Sequence, residues 1–75
     1  MKISYSPDVD IAYIKLGKGK YKISEQRAKG DIVVDFSDKG KIIGLEIFYA
    51  SKVAPELVRQ FEGAKKLKEI NFAAN

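Results

Sequence analysis

The chain has 75 residues, 45% of them hydrophobic, a formal net charge of +4, and neither cysteine nor histidine. Those numbers bound a single domain that buries only about 60% of the surface its unfolded chain exposes, with a core supplying roughly 3–5 kcal/mol of net stability. They exclude disulfides and thiolate metal sites, and they remove the commonest transition-metal ligand. Small folds without such staples rely on tight packing or on a partner subunit, so the composition already favours self-association. No apolar run approaches the ~20 residues that span a bilayer. The opening "MKISYS" lacks the apolar region of a signal peptide, and the expected location is the cytoplasm.

"KISYS" alternates, with Ile3 and Tyr5 on one face and Lys2, Ser4 and Ser6 on the other, which predicts a half-buried strand. Pro7 and Asp8 supply a turn. "DIAYIKL" predicts a second strand, with Ala12, Ile14 and Leu16 opposite Ile11, Tyr13 and Lys15. After a glycine turn, "KYKISEQ" predicts a third, weaker strand from Lys20 to Gln26. Asp31 to Phe36 and Lys41 to Tyr49 then form a hairpin across "SDKG", read as a type I turn with a bulge at Gly40 that sets Ser37 opposite Lys41. On that register Val33 and Asp35 share a face with Ile43, Leu45 and Ile47. Ile32, Val34 and Phe36 share the other with Ile42, Glu46 and Phe48. A four-residue loop without the bulge exchanges these partners. Either way both faces of the hairpin stay substantially apolar.

Beyond Pro55 the period changes. Leu57, Val58, Phe61, Ala64 and Leu67 recur at spacings of three and four, an amphipathic helix from about Pro55 to Lys68. Ser51 is placed to cap an earlier short turn, and Gly63 costs the helix up to ~1 kcal/mol against alanine. A tail of residues 69–75 follows, with Ile70 and Phe72 able to dock or fray. The resulting fold class is α+β: an antiparallel meander of four to five strands over residues 1–49, with one C-terminal helix packed on one sheet face, in a single domain of residues 1–75. A helix of that length is ~21 Å long at about 1.5 Å per residue and covers one face only. The cheapest cover for the other is a second copy of the chain. The candidate interface is Ile32, Val34, Phe36, Ile42 and Phe48 on the hairpin, with Leu57 and Phe61 on the helix.

The strand and turn residues resemble one family. Tyr5, Pro7 and Asp10 precede a strand with Tyr13, Ile14 and Leu16. A strand ending in Asp35 follows, then Gly40, Gly44, Glu46, Ala50 and Ser51. Over about the first 51 residues this pattern is similar to the small bacterial and archaeal domains called domain of unknown function 2283. The resemblance implies an antiparallel meander followed by a helix, and no established reaction. It also implies a genomic setting like that of partners of small toxin-like reading frames, hence an antitoxin-type role.

Four acids, Asp8, Asp10, Asp35 and Glu46, could form a carboxylate cluster for acid–base work or for Mg²⁺ or Ca²⁺. Their spacing matches no calcium loop. Turn bonding for the first two and cross-strand partners for the others are the simpler roles. The five serines at positions 4, 6, 24, 37 and 51 lack a histidine to activate them, so no catalytic residue, metal ligand or cofactor is assigned. Lys15, Lys18, Lys20, Lys22, Arg27 and Lys29 give residues 15–29 a net +5 against −1 for the rest of the chain. They are the candidate nucleic-acid contacts, or else a charged edge that deters unwanted pairing. The primary expectation is a non-enzymatic, homodimeric protein-interaction module with a small protein partner. The alternative is a nucleic-acid-binding module using residues 15–29.

Overall fold

The computed structural model describes residues 1–17 and 22–72. They form one six-stranded antiparallel sheet and two short helices. The strands are β1 (Lys2–Ser6), β2 (Ile11–Lys15), β3 (Glu25–Lys29), β4 (Ile32–Phe36), β5 (Ile42–Phe48) and β6 (Lys68–Asn71). The helices are α1 (Ala50–Val53) and α2 (Pro55–Arg59). In space the order is β3-β4-β5-β2-β1-β6. The first two strands form as their alternation dictates.

The sheet departs from the expected meander. It has six strands rather than four or five, and β2, consecutive with β3 in sequence, instead pairs with β5. The third strand runs over Glu25–Lys29 rather than Lys20–Gln26. Of that expected span, residues 22–24 are not strand, and Lys20 and Tyr21 lie outside the described residues. Its partner is β4, through a two-residue turn at Gly30 and Asp31 that was not anticipated.

The β4–β5 turn forms as expected. The Gly40 N–H donates to the Ser37 carbonyl at 3.0 Å, and the Ser37 N–H to the Lys41 carbonyl at 2.8 Å. The expected faces are nevertheless reversed by a second irregularity. Phe36 pairs with Ile42, but Asp35 pairs with Gly44, so Ile43 is passed over. One extra residue moves every later side chain to the opposite face. Val33 and Asp35 therefore share a face with Gly44 and Glu46, while Ile32 and Val34 share one with Leu45 and Ile47.

The long C-terminal helix is also corrected. After α2 the chain closes through i→i+3 bonds (Phe61 N–H to Val58 O at 2.9 Å, Ala64 N–H to Phe61 O at 3.0 Å). Gly63 then turns left-handed at φ +87. Such tightened turns and a left-handed glycine are a usual way to end a helix. The first part of the expected tail is instead in β6, which pairs with β1 from Lys2↔Asn71 to Tyr5↔Lys68, and residues 73–75 lie outside the described residues.

The core sits between the helices and one end of the sheet. Ile3, Tyr5, Ala12, Ile47, Ala50 and Phe61 are buried there, with Ile14, Ile32, Leu57, Val58, Ile70 and Phe72 packed around them. The Tyr5 and Phe61 rings are 5.7 Å apart, tilted by 41°. β3 contributes no residue to this cluster and β4 contributes only Ile32. The β3–β4 end of the sheet therefore lies beyond the layer that the helices build.

Candidate functional site

Two polar nodes organise the molecule. In the first, Asp10 ends the β1–β2 turn at φ +56, a left-handed conformation that short acidic residues tolerate. Its backbone carbonyl accepts the Ala50 N–H at 3.0 Å. Its carboxylate accepts the Tyr5 hydroxyl at 2.7 Å, the Ser51 N–H at 2.9 Å and the Ser51 hydroxyl at 2.6 Å. Asp10 thus caps α1 from a distant loop, and Ser51 serves as a donor to it rather than as the cap. The Ser51 hydroxyl, with help from Tyr5, the Ser51 N–H and the charge of Lys52, holds the Asp10 carboxyl below its ordinary range against the opposing effect of burial. Burial, and then the hydrogen bond and charge of Asp10, push the Tyr5 phenol up to about 12.

The second node lies on the opposite sheet face. Tyr13 of β2 stretches over Gly44 of β5, and its hydroxyl donates to Asp35 of β4 at 2.7 Å. Gln26 of β3 donates to the other Asp35 oxygen at 2.7 Å. Asp35 is 2% exposed although no helix packs on that face among the described residues. Its cover comes from its own neighbours, and its hydrogen-bond partners are supplied within the chain. Burial, followed by the Asp35 hydrogen bond and the charges of Asp35 and Glu46, pushes the Tyr13 phenol up to about 12.

The four candidate acids do not converge. Asp10 and Asp35 occupy separate nodes, Asp8 is exposed in the turn, and Glu46 lies opposite Tyr13 on β5. Among the described residues no three acids are grouped so as to hold a metal ion. Each node joins residues distant in the sequence, Asp10 to Ser51 and Tyr13 to Asp35.

The candidate cations are dispersed as well. Lys15 lies on β2 on the face carrying Gln26, with β5 and β4 between, whereas Arg27 and Lys29 alternate to the other face of β3. The Arg27 guanidinium lies 5.3 Å from the centre of the Phe36 ring and bonds Glu25 at 3.1 Å. Lys22 is exposed just before β3, and Lys18 and Lys20 lie outside the described residues. Lys39 and Lys41 both line an open groove of about 380 Å³ together with Leu16, Ile42 and Ile43.

The candidate interface residues divide into three groups. Phe61 is buried in the core, and Ile32 and Leu57 pack against it. Val34 and Phe36 are half-buried on the helix-bearing face but beyond the core cluster, beside half-buried Leu45. Ile42 is 50% exposed at the bulge, and Phe48 pairs with Ile11 on the opposite face. Edge strand β3, all five residues exposed, was not singled out as an interface from sequence. Its short, charged "EQRAK" carries no apolar alternation that could have marked it.

Comparison with curated proteins and with solved structures returned no match. A family model, described as "Protein of unknown function (DUF2283)", matches residues 2–51. That segment spans β1 to β5 and the start of α1, and it contains Tyr5, Asp10, Tyr13, Gln26, Asp35, Gly44 and Ser51, the residues that build both nodes. With two-thirds of its length matched, the chain belongs to this family.

Proposed function

We propose that the protein is a non-enzymatic protein-interaction module that works as a homodimer. The observation that carries this reading is the β3–β4 end of the sheet, where Val34 and Phe36 stand half-buried outside the layer made by α1, α2 and the 60–64 segment. A sheet is stable when its apolar face meets a second layer. Two helices of four and five residues reach only the other end. Within this reading, the family's resemblance to partners of toxin-like reading frames makes a small toxin the partner class to test, with the dimer as the neutralising unit.

Light scattering over a concentration series tests the homodimer. The expected mass is about twice the 8.4 kDa of one chain. A single-chain mass at every concentration would overturn the dimer. Co-purification of a small neighbouring gene product with the tagged protein tests the partner class.

A further inference from the structure

Both ends of the sheet are strands, and they differ. β6 carries Ile70, and Phe72 follows it; both pack against the core. Among the described residues β3 pairs only with β4, it adds nothing to the core cluster, and each of its residues is exposed. Its backbone is also committed in a readable way. Lys29 and Ile32 flank a two-residue turn whose first residue, Gly30, has φ +58, the arrangement of a tight hairpin. In such a hairpin the flanking pair is the closely hydrogen-bonded one and the pattern alternates from there. Lys29, Arg27 and Glu25 therefore turn their N–H and C=O groups toward β4. Ala28 and Gln26 turn theirs outward, with no strand beyond them among the described residues.

Outward groups on an edge invite another strand, and charged residues are a usual deterrent. Here the charges are self-complementary in one register only. Two copies of β3 pairing antiparallel about Gln26 set Glu25 opposite the partner's Arg27, and Arg27 opposite the partner's Glu25. Centring on Arg27 instead opposes two arginines. Sliding one step the other way opposes two copies of Glu25, and centring on Ala28 opposes Arg27 to the partner's Lys29. Like charges directly opposite are destabilising. The Gln26-centred register is also one in which the outward backbone groups of Gln26 meet.

Resting on the homodimer reading above, we infer that the dimer forms by antiparallel β3–β3 pairing centred on Gln26, giving one continuous twelve-stranded sheet. Neighbouring antiparallel strands present the same face, so the dyad stands normal to the sheet. Both helix layers then lie on one side. Val34 and Phe36 of the two copies then lie on the same side, about 14 Å apart at roughly 4.8 Å per strand spacing, with the paired Glu25 and Arg27 side chains between them.

The test is a charge exchange read as association by light scattering and sedimentation. Glu25→Arg and Arg27→Glu each turn both symmetric pairs into like pairs and are expected to raise the dimer dissociation constant on the order of tenfold. The double variant Glu25→Arg/Arg27→Glu is expected to restore it. That rescue is specific to the Gln26-centred register, since the Arg27-centred one would oppose two new glutamates. Ala28→Pro, which removes an outward N–H at an edge position where proline is tolerated, is expected to abolish dimers while leaving the far-UV spectrum unchanged. A dimer that is indifferent to all four variants but lost on Val34→Glu would overturn the edge pairing and leave the homodimer reading standing. A wild-type monomer would overturn both.

Discussion

Gly44→Ala is the sharpest single perturbation of this fold. Gly44 does not adopt a left-handed conformation, so alanine fits its backbone and the only issue is space. An added Cβ would land on the Tyr13 hydroxyl oxygen, 2.7 Å from Tyr13 Cζ and 3.3 Å from Asp35 Oδ2. The tyrosine ring is rigid and must leave. Its 2.7 Å hydrogen bond to Asp35 goes with it, and a carboxylate that is 2% exposed is left with Gln26 alone. A hydrogen bond to a charged group is worth about 1.5–3 kcal/mol, and the displaced ring forfeits packing on top of that. The expected loss is about 2–4 kcal/mol, against a total stability of roughly 4–11 kcal/mol for a chain of this size. Urea unfolding followed by far-UV circular dichroism, at one fixed protein concentration because association contributes, measures it. With Tyr13→Ala in place the obstacle is gone. There Gly44→Ala should be neutral, or stabilising by about 0.5–1 kcal/mol through the entropy that glycine loses in a strand. A cost below about 1 kcal/mol in the wild type, or the same cost in both backgrounds, would refute the close approach of Tyr13 to Gly44.

Ser51→Ala removes the chief cause of the lowered Asp10 pKa. The folded state holds that proton less tightly than the unfolded chain, so the node's stabilisation is full above the ordinary carboxylate range and fades as pH falls below about 4. The variant should lose stability at neutral pH and show a flatter acid limb in pH-dependent unfolding. Tyr5 and Tyr13 have the opposite sign at the alkaline end. Their folded pKa values, about 12, exceed the unfolded value near 10, so stability should be intact below pH 10 and lost between 10 and 12, and Tyr13→Phe should remove one late step from a phenolate absorbance titration. Phe61→Ala empties a position 3% exposed at the centre of the core and should cost about 3–5 kcal/mol in urea unfolding. Gly63→Ala meets no atom within 4 Å but must hold φ +87, so its cost should be about 1–2 kcal/mol, set by backbone strain alone.

What was legible in the sequence is what short-range chemistry controls. Alternation marked β1 and β2, dense apolar runs marked β4 and β5, and the "SDKG" turn with its bulge at Gly40 could be read from four residues. The skipped Ile43 could not, because no local residue demands it. It is set by fitting β4 against a β5 that must also pair with β2, and that one residue reversed the faces of the hairpin. The apolar spacing from Leu57 to Leu67 suits a helix, but Gly63 falls inside it, and the structure follows the glycine. β6 did leave a signal, the two-residue interval between Ile70 and Phe72, too short to compete with the helical stripe before it. The candidate cations looked like one patch because they are close along the chain. The sheet order places β5 and β4 between Lys15 and β3. The two tyrosine–carboxylate nodes join residues from different hairpins, and sequence proximity hints at only one of their bonds, Tyr5 to Asp10.

The placement of β2 beside β5 also shapes how the chain reaches this structure. β1–β2 is one locally closed hairpin and β3–β4–β5 is a locally closed set of three strands. Among the described residues the ladder from Ile11↔Phe48 to Lys15↔Gly44 is the only strand pairing between these two pieces. Local pairings form early, whereas a contact between distant residues must first overcome the entropy of closing the loop between them. Docking of the two pieces is therefore the step that should limit the folding rate. Asp10 and Ser51 sit at one end of that seam, and Tyr13 crosses it to Asp35. Stopped-flow measurements should find that substitutions at these joints slow folding, while Gly63→Ala, remote from the seam, mainly hastens unfolding. The same tyrosines and carboxylates that hold the finished sheet together would then act as the latch that commits its halves.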